Sequence, residues 1–320
     1  MEPRHRLFNP VQRVLLFKRV PFLAGLGTPE LSLLAKNSWL RHHKEGAPLL
    51  AKGVVPHRFH VIVKGSAGDA GPEQTIGFLN VLARRSPRAD VLATSAALTL
   101  EIDADDLRNM LEDHFPLLRH FIRELARAVL DEERPRRDGL TRSPAIALGL
   151  GPSQQLDLAE TLVLLRRAAR LRQWPLDTLV EAAGKMSEQT IPAGEILWRD
   201  GDPARRMEVI VTGSVECRAA DTTFLAGSGF VLGGIETLAA RPRWYHARTE
   251  TDVRTLRLPA AYALDLLEDH FEIADDVLCL FASALMNSDA GRRLNGEAAP
   301  RRVDARAQAR PVSSPAPPLP

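Results

Sequence analysis

Apolar residues along this chain follow two periods. At 29–39 and 175–186 they recur at helical spacing, which predicts two short amphipathic helices. From 39 to 66 and from 188 to 217 they come in short β-branched or alternating runs, cut by glycine at regular intervals. That punctuation predicts a small antiparallel roll with tight turns. "LTLEIDADDLRNMLEDHF" (98–115) and "RTLRLPAAYALDLLEDHF" (254–271) each read as a last strand, a turn and a helix, with Asp103 or Asp105 as N-cap of the first helix. Further on, apolar positions 118, 121, 122, 125 and 129 mark one face of a long helix. Val277, Phe281, Ala284 and Leu285 do the same in the second half.

Each pattern occurs twice because the chain repeats itself. Residues 22–66 fall on 170–214 at an offset of 148, with "GAPLLAKG" (46–53) on "GEILWRDG" (194–201) and "VIVKGS" (61–66) on "VIVTGS" (209–214). Gly46, Gly53 and Gly65 thereby meet Gly194, Gly201 and Gly213. "LARRSPR" (82–88) matches "LAARPR" (238–243) with one residue absorbed, and "LEDHF" recurs at 111–115 and 267–271, an offset of 156. The offset grows by eight (156 − 148) because the first copy is shorter by eight residues after its VIV strand, which predicts a deleted hairpin. Order and spacing persist through the whole unit, so the reading is a tandem duplication. Glu112, Asp113 and His114 are adjacent rather than spaced to share a helix face, so LEDHF reads as part of a packed helix and not as a metal site.

The fold class expected is α+β: two tandem antiparallel β-roll or jelly-roll domains, each flanked by helices. The expected division is an N-terminal segment or helix at 1–20, a shortened first domain at 21–130, a linker at 131–158, a second domain at 159–290 and a disordered tail at 291–320, rich in Pro, Ala and Arg. A length of 320 residues suits about two domains, and 45% hydrophobic content supplies their cores. A formal net charge of +2 gives no electrostatic case for nucleic acid, and no DNA-reading helix pair follows the second unit. Cys217 and Cys279 make neither a disulfide framework nor a metal spacing. The first residues lack a signal-peptide core and no apolar run reaches a membrane span, so a soluble, cytoplasmic protein is expected. No metal-ligand spacing, nucleophile elbow or Walker loop stands out, so no catalytic residue, metal or cofactor is assigned. His42–His43 reads as a surface pair.

The Gly-x6-Gly spacing, the "VIVxGS" strand and "GFVLGGIETLAARPRWYHARTETDVRTLRL" (229–258) resemble the cyclic nucleotide-binding domain of bacterial transcription regulators, kinase regulatory subunits and ion channels. The resemblance spans roughly 22–130 and 163–288. In that family, the last stretch is a phosphate-binding cassette: a Gly before a short helix, a Glu beside it for the ribose hydroxyl, and an Arg for the cyclic phosphate. A helix N-terminus and a guanidinium together suit such an anion. The resemblance puts Gly233 at the cassette Gly and Arg243 at the phosphate Arg, with Gly234 where the Glu is expected and Trp244 where a small residue is expected. In the first copy it puts Gly77, Arg88 and Ala89 on the pattern and Phe78 in place of the Glu. A lost charge-assisted hydrogen bond costs about 1.5–3 kcal/mol, roughly ten- to a hundredfold in affinity. Glu236 is either a substitute ribose ligand or an exposed residue of a short helix.

Two functional readings follow for a non-enzymatic, bacterial-type regulatory protein. In one, cyclic AMP or cyclic GMP binds the second domain through Gly233, Gly234 and Arg243, and the helix at 272–287 moves as the signal. In the other, the pair is degenerate and ligand-free, kept as a module for an unknown protein partner or for oligomerisation. A third and weaker reading is kinase inhibition through the Arg-Arg-x-small-apolar run "RRDGL" (136–140).

Overall fold

The computed structural model describes residues 9–133, 156–167, 174–220, 222–286 and 288–295. Helix α1 (Pro10–Phe17) is started by Asn9, whose side chain bonds the Gln12 amide while Gln12 bonds back, with proline at the first position. It sends Leu16 and Phe17 into the core beside α2 (Thr28–Lys36). The first roll follows: β1 (Trp39–His43), β2 (Pro48–Leu50), β3 (Arg58–Lys64), β4 (Thr75–Ile76), α3 (Phe78–Ala83), β5 (Val91–Leu92) and β6 (Ala97–Asp103). It ends in α4 (Ala104–Asp113), capped by Asp103, and α5 (Phe115–Glu133). The second half runs α6 (Leu158–Arg167), α7 (Leu176–Lys185), β7 (Ser187–Ile191), β8 (Ile196–Trp198), β9 (Arg206–Thr212), β10 (Val215–Arg218), β11 (Thr223–Ala226) and β12 (Val231–Leu232). Then come α8 (Gly234–Ala239), β13 (His246–Thr249), β14 (Val253–Pro259), α9 (Ala260–Asp269), α10 (Phe271–Leu285) and α11 (Asp289–Asn295).

One antiparallel sheet has the order β1-β6-β3-β4 and another the order β7-β14-β9-β12, so both halves cross over in the same way. The facing sheets differ. In the second half it is β8-β13-β10-β11; in the first, β2 pairs with β5 alone. Where the β10–β11 hairpin runs from Val215 to its partner Ala226, the first half has only a bridge from Ala67 to Ala70. The spans are eleven and three residues (226 − 215; 70 − 67), which accounts for the eight missing positions. Ala67 also bridges Ala93, as Val215 pairs with Thr249, so the turn keeps its place after losing its strands.

LEDHF does not lie inside one helix. In both copies the helix stops at the histidine, with φ −133°, ψ 84° at His114 and φ −129°, ψ 83° at His270, and a new helix starts at the phenylalanine. The expected face of α10 shifts as well: Ile273, Ala274, Leu278, Phe281, Ala282 and Leu285 are buried, while Ala284 is exposed. Residues 291–295, expected to belong to the tail, are helical in α11, and Asn295 is buried against the first roll.

The long helices are exchanged between the halves. The first half's α5 packs on α8 of the second, and α10 of the second packs on α3 of the first and on α5 itself. Polar contacts fix the exchange. Arg127 Nε donates to Ala239 O at 3.1 Å, and the Cys279 thiol lies 3.6 Å from Ala83 O. Asp275 takes Arg84 and, at 2.9 Å, Arg108. The Asn295 carboxamide accepts from the Leu79 amide at 3.0 Å and donates to Asn80 Oδ1 at 2.6 Å. One hydrophobic cluster therefore runs from Leu16 through Phe121 to Trp244 and Leu285, drawing on both halves. No helix among the described residues is long and apolar enough to cross a membrane.

Candidate functional site

The second cassette is built where β12 meets α8. Gly233 is the turn residue, at φ 72°, a left-handed conformation that suits glycine. A side chain there has no room: a Cβ would sit 2.0 Å from Arg243 Nη1. Arg243 is 2% exposed and reaches inward. Its Nη1 donates to Gly233 O at 2.9 Å, its Nη2 donates to Arg206 O, and its guanidinium carbon lies 4.1 Å over the Trp198 ring. Burial pushes the guanidinium below its usual range, opposed by the nearby Glu236 carboxylate. The buried charge is thus met by backbone carbonyls and an aromatic face.

Glu236 is not the exposed helix residue that is one of the two readings of its position. It is 3% exposed, and its Oε1 accepts the indole N–H of Trp244 at 2.6 Å. The Trp244 ring, 7% exposed, stacks on Phe224 at 6.4 Å with 17° between planes and meets Tyr245 edge-on at 4.9 Å. Tyr245 in turn packs against Trp198 at 5.8 Å. Trp198, Phe224, Trp244 and Tyr245 form a continuous aromatic wall beside the cassette, and the hairpin absent from the first half supplies one of them, Phe224. Trp198 and Phe224 carry no cassette signal in the sequence; their spacing is that of ordinary strand residues. Gly234, at the expected Glu position, is the first residue of α8 and contributes no side chain.

Mutating Gly233 to alanine is expected to cost about 1–2 kcal/mol for the left-handed backbone alone, with more lost as the guanidinium is driven off its carbonyls. Thermal unfolding of the variant measures it, and an unchanged midpoint would contradict this packing.

The first cassette differs at each polar position. Gly77 keeps the turn, at φ 77°. Phe78 is fully inside the core, with ring centroids 4.7 Å from Phe22, 5.3 Å from Phe59 and 5.6 Å from Phe121. Arg88 is not at the phosphate position. The Gly201 amide bonds Arg243 O at 2.8 Å, and the matching bond in the first half runs from the Gly53 amide to Pro87 O at 3.2 Å. Pro87 therefore stands where Arg243 does, with no residue absorbed, and Arg88 falls opposite Trp244. Arg88 and Ala89 are both exposed. Leu50, which matches Trp198 in the repeat, lies directly over the glycine: a Cβ on Gly77 would meet Leu50 Cδ2 at 2.9 Å, where in the second half a Cβ on Gly233 would meet the Arg243 guanidinium. The segment 136–140 and the tail beyond 295 lie outside the described residues.

Residues 188–270 match the model of the cyclic nucleotide-binding domain. A search of curated protein sequences gave no match. Among solved structures, the chain is similar to the regulatory subunit of a cAMP-independent protein kinase A from Trypanosoma brucei, at 14% identity, with 91% of this chain and 92% of that one covered and a TM-score of 0.32. It is similar also to the regulatory domain of Toxoplasma gondii PKA with cAMP, at 12% identity over 86% and 96% of the two chains, TM-score 0.34. The N-terminal domain of a transcriptional regulator from Streptomyces coelicolor A3(2) is 24% identical over 40% of this chain and 94% of its own, TM-score 0.36. At these scores the assignment rests on the sequence match. Through residues 188–270, the protein carries a member of the cyclic nucleotide-binding domain family.

Proposed function

We infer that this is a regulatory protein of two cyclic nucleotide-binding-like domains whose clefts are filled by their own side chains, and that it works by holding a protein partner rather than by sensing a nucleotide. A regulatory binding role follows from the family match. One observation carries the finer reading: the pairing of Trp244 with Glu236, at 2.6 Å and buried, beside a guanidinium already engaged by two carbonyls. A cyclic phosphate entering here would have to separate Arg243 from those carbonyls, and a ribose would meet no carboxylate at Gly234. Each exchange removes buried hydrogen bonds before it makes new ones. In the first half, the positions that match the ribose Glu and the phosphate Arg of the family hold Phe78 and Pro87, neither of which carries a charge.

A second reading has one observation in its favour. The Arg243 guanidinium lies directly against the cassette glycine, so it points the way a phosphate ligand would require. Calorimetric titration of the whole protein with cyclic AMP and cyclic GMP separates the two. The expected result is no saturable heat up to millimolar ligand, for wild type and for Arg243→Ala alike. Saturable binding by wild type that disappears in Arg243→Ala would establish the nucleotide switch instead.

A further inference from the structure

A cluster of metal-ligating side chains lies in the first roll, away from either cassette. His43 on β1, Glu101 on β6 and His60 on β3 share one face of three neighbouring strands. His43 Nε2 and His60 Nδ1 each lie 3.4 Å from Glu101 Oε1, and the three ligand atoms all fall within 4.8 Å of one another. A tetrahedral zinc with bonds of about 2.0–2.1 Å has ligand atoms about 3.3–3.4 Å apart. Two of the three separations already have that value.

His60 is the residue that needs explaining. It is 3% exposed; its Nδ1 faces Glu101 Oε1 at 3.4 Å without the geometry of a hydrogen bond, and its Nε2 has no hydrogen-bond partner among the described residues. Buried polar groups are almost always satisfied. The second half shows what satisfaction looks like at the same strand positions. There Glu208 stands for His60 and Arg257 for Glu101, and Glu208 is bonded by Arg206 at 2.9 Å, Arg257 at 2.8 Å and Thr255 Oγ1 at 2.7 Å. The first half keeps the arginine, Arg58, but gives it to Glu101 Oε2 at 2.9 Å. That leaves Oε1 turned toward two imidazole nitrogens, His43 Nε2 and His60 Nδ1, each at 3.4 Å.

We propose that His43 Nε2, His60 Nδ1 and Glu101 Oε1 form a binding site for a divalent transition metal, zinc foremost. Two imidazole nitrogens and one carboxylate oxygen suit zinc better than magnesium or calcium, which prefer all-oxygen cages. Binding exchanges the 3.0 Å contact between His43 Nε2 and Thr99 Oγ1 for a metal bond. Arg58 and Arg41, at 2.9 and 3.4 Å from Oε2, anchor the carboxylate from its other oxygen and hold Oε1 in place. They also weaken the site by their charge, so its affinity sits below that of a four-ligand structural zinc.

The test uses the full chain stripped with a chelator and titrated with Co2+, whose visible absorption reports tetrahedral coordination, followed by displacement with Zn2+. One equivalent is expected to bind with a tetrahedral spectrum and to raise the unfolding temperature. His43→Ala is expected to weaken binding by more than about a hundredfold. His43→Phe, which retains the ring's bulk, is the second variant and is expected to do the same with the fold intact by circular dichroism. Absence of a tetrahedral spectrum in wild type overturns the proposal. So does stoichiometric binding of Co2+ that both variants leave unchanged.

Discussion

Replacing Trp244 by alanine is expected to lower stability by about 3–5 kcal/mol, the range for deleting a large buried aromatic, read as a shift of the denaturant midpoint. Two losses combine. The ring gives up its contacts with Phe224 and Tyr245, and Glu236, 3% exposed, gives up its indole donor. Trp244→Phe separates them, because phenylalanine retains most of the apolar area but has no N–H. That variant should lose only the part owed to the buried carboxylate, about 1–3 kcal/mol. Equal losses in the two variants would mean that the hydrogen bond dominates; a Trp244→Ala variant as stable as wild type would mean that the indole does not fill the cleft. The same alanine variant also bears on function. If the cleft is closed by this ring, only its removal should make room for a cyclic nucleotide near Arg243.

Much of this was legible in the sequence, and the reasons differ from element to element. The glycines were legible because tight turns demand them: Gly46, Gly53 and Gly65 all have φ between 76° and 82°, and Gly194, Gly201 and Gly213 between 86° and 87°. The deleted hairpin was legible as a change of offset. The Arg88 assignment failed for a related reason. A match of "SPR" to "RPR" favours absorbing one residue, whereas the backbone bonds of Gly53 and Gly201 hold the register constant and set Pro87 against Arg243. Local similarity carries no hydrogen-bond pattern, so it could not choose. The burial of Glu236 against Trp244 was not legible, because a six-residue helix has too few turns to show which face is buried. His60 and Glu101 are directly opposite each other across β3 and β6, a pairing that exists only once strand register is known. His43 looked like half of a surface pair because its neighbour His42 precedes it. Strand alternation sends the two to opposite faces.

The exchange of long helices was the least legible feature. A hydrophobic stripe says that a helix is buried, never against what. Its physical consequence is that the two halves should unfold together. The cluster containing Leu16, Phe121, Leu278 and Trp244 has no boundary at the middle of the chain, and α10 is wedged between α3 and α5 of the other half. Calorimetry is therefore expected to give one cooperative transition, where two rolls joined only by a linker would give two. Leu278→Asp is the decisive variant. Leu278 is 1% exposed on α10, so aspartate there both deletes a core side chain and places a charge among apolar groups. The combined loss should exceed about 4 kcal/mol, a value reached only by such buried disruptions and a large share of the roughly 5–15 kcal/mol that holds a typical protein folded. The single transition should move down as a whole, carrying with it the near-ultraviolet signal of Trp198, Trp244 and Tyr245, although those residues lie in the second roll and Leu278 stands on α10, the helix that packs on α3 and α5 of the first half. If part of the heat absorption stays at the wild-type temperature, the halves are independent and the exchanged helices do not bind them into one core.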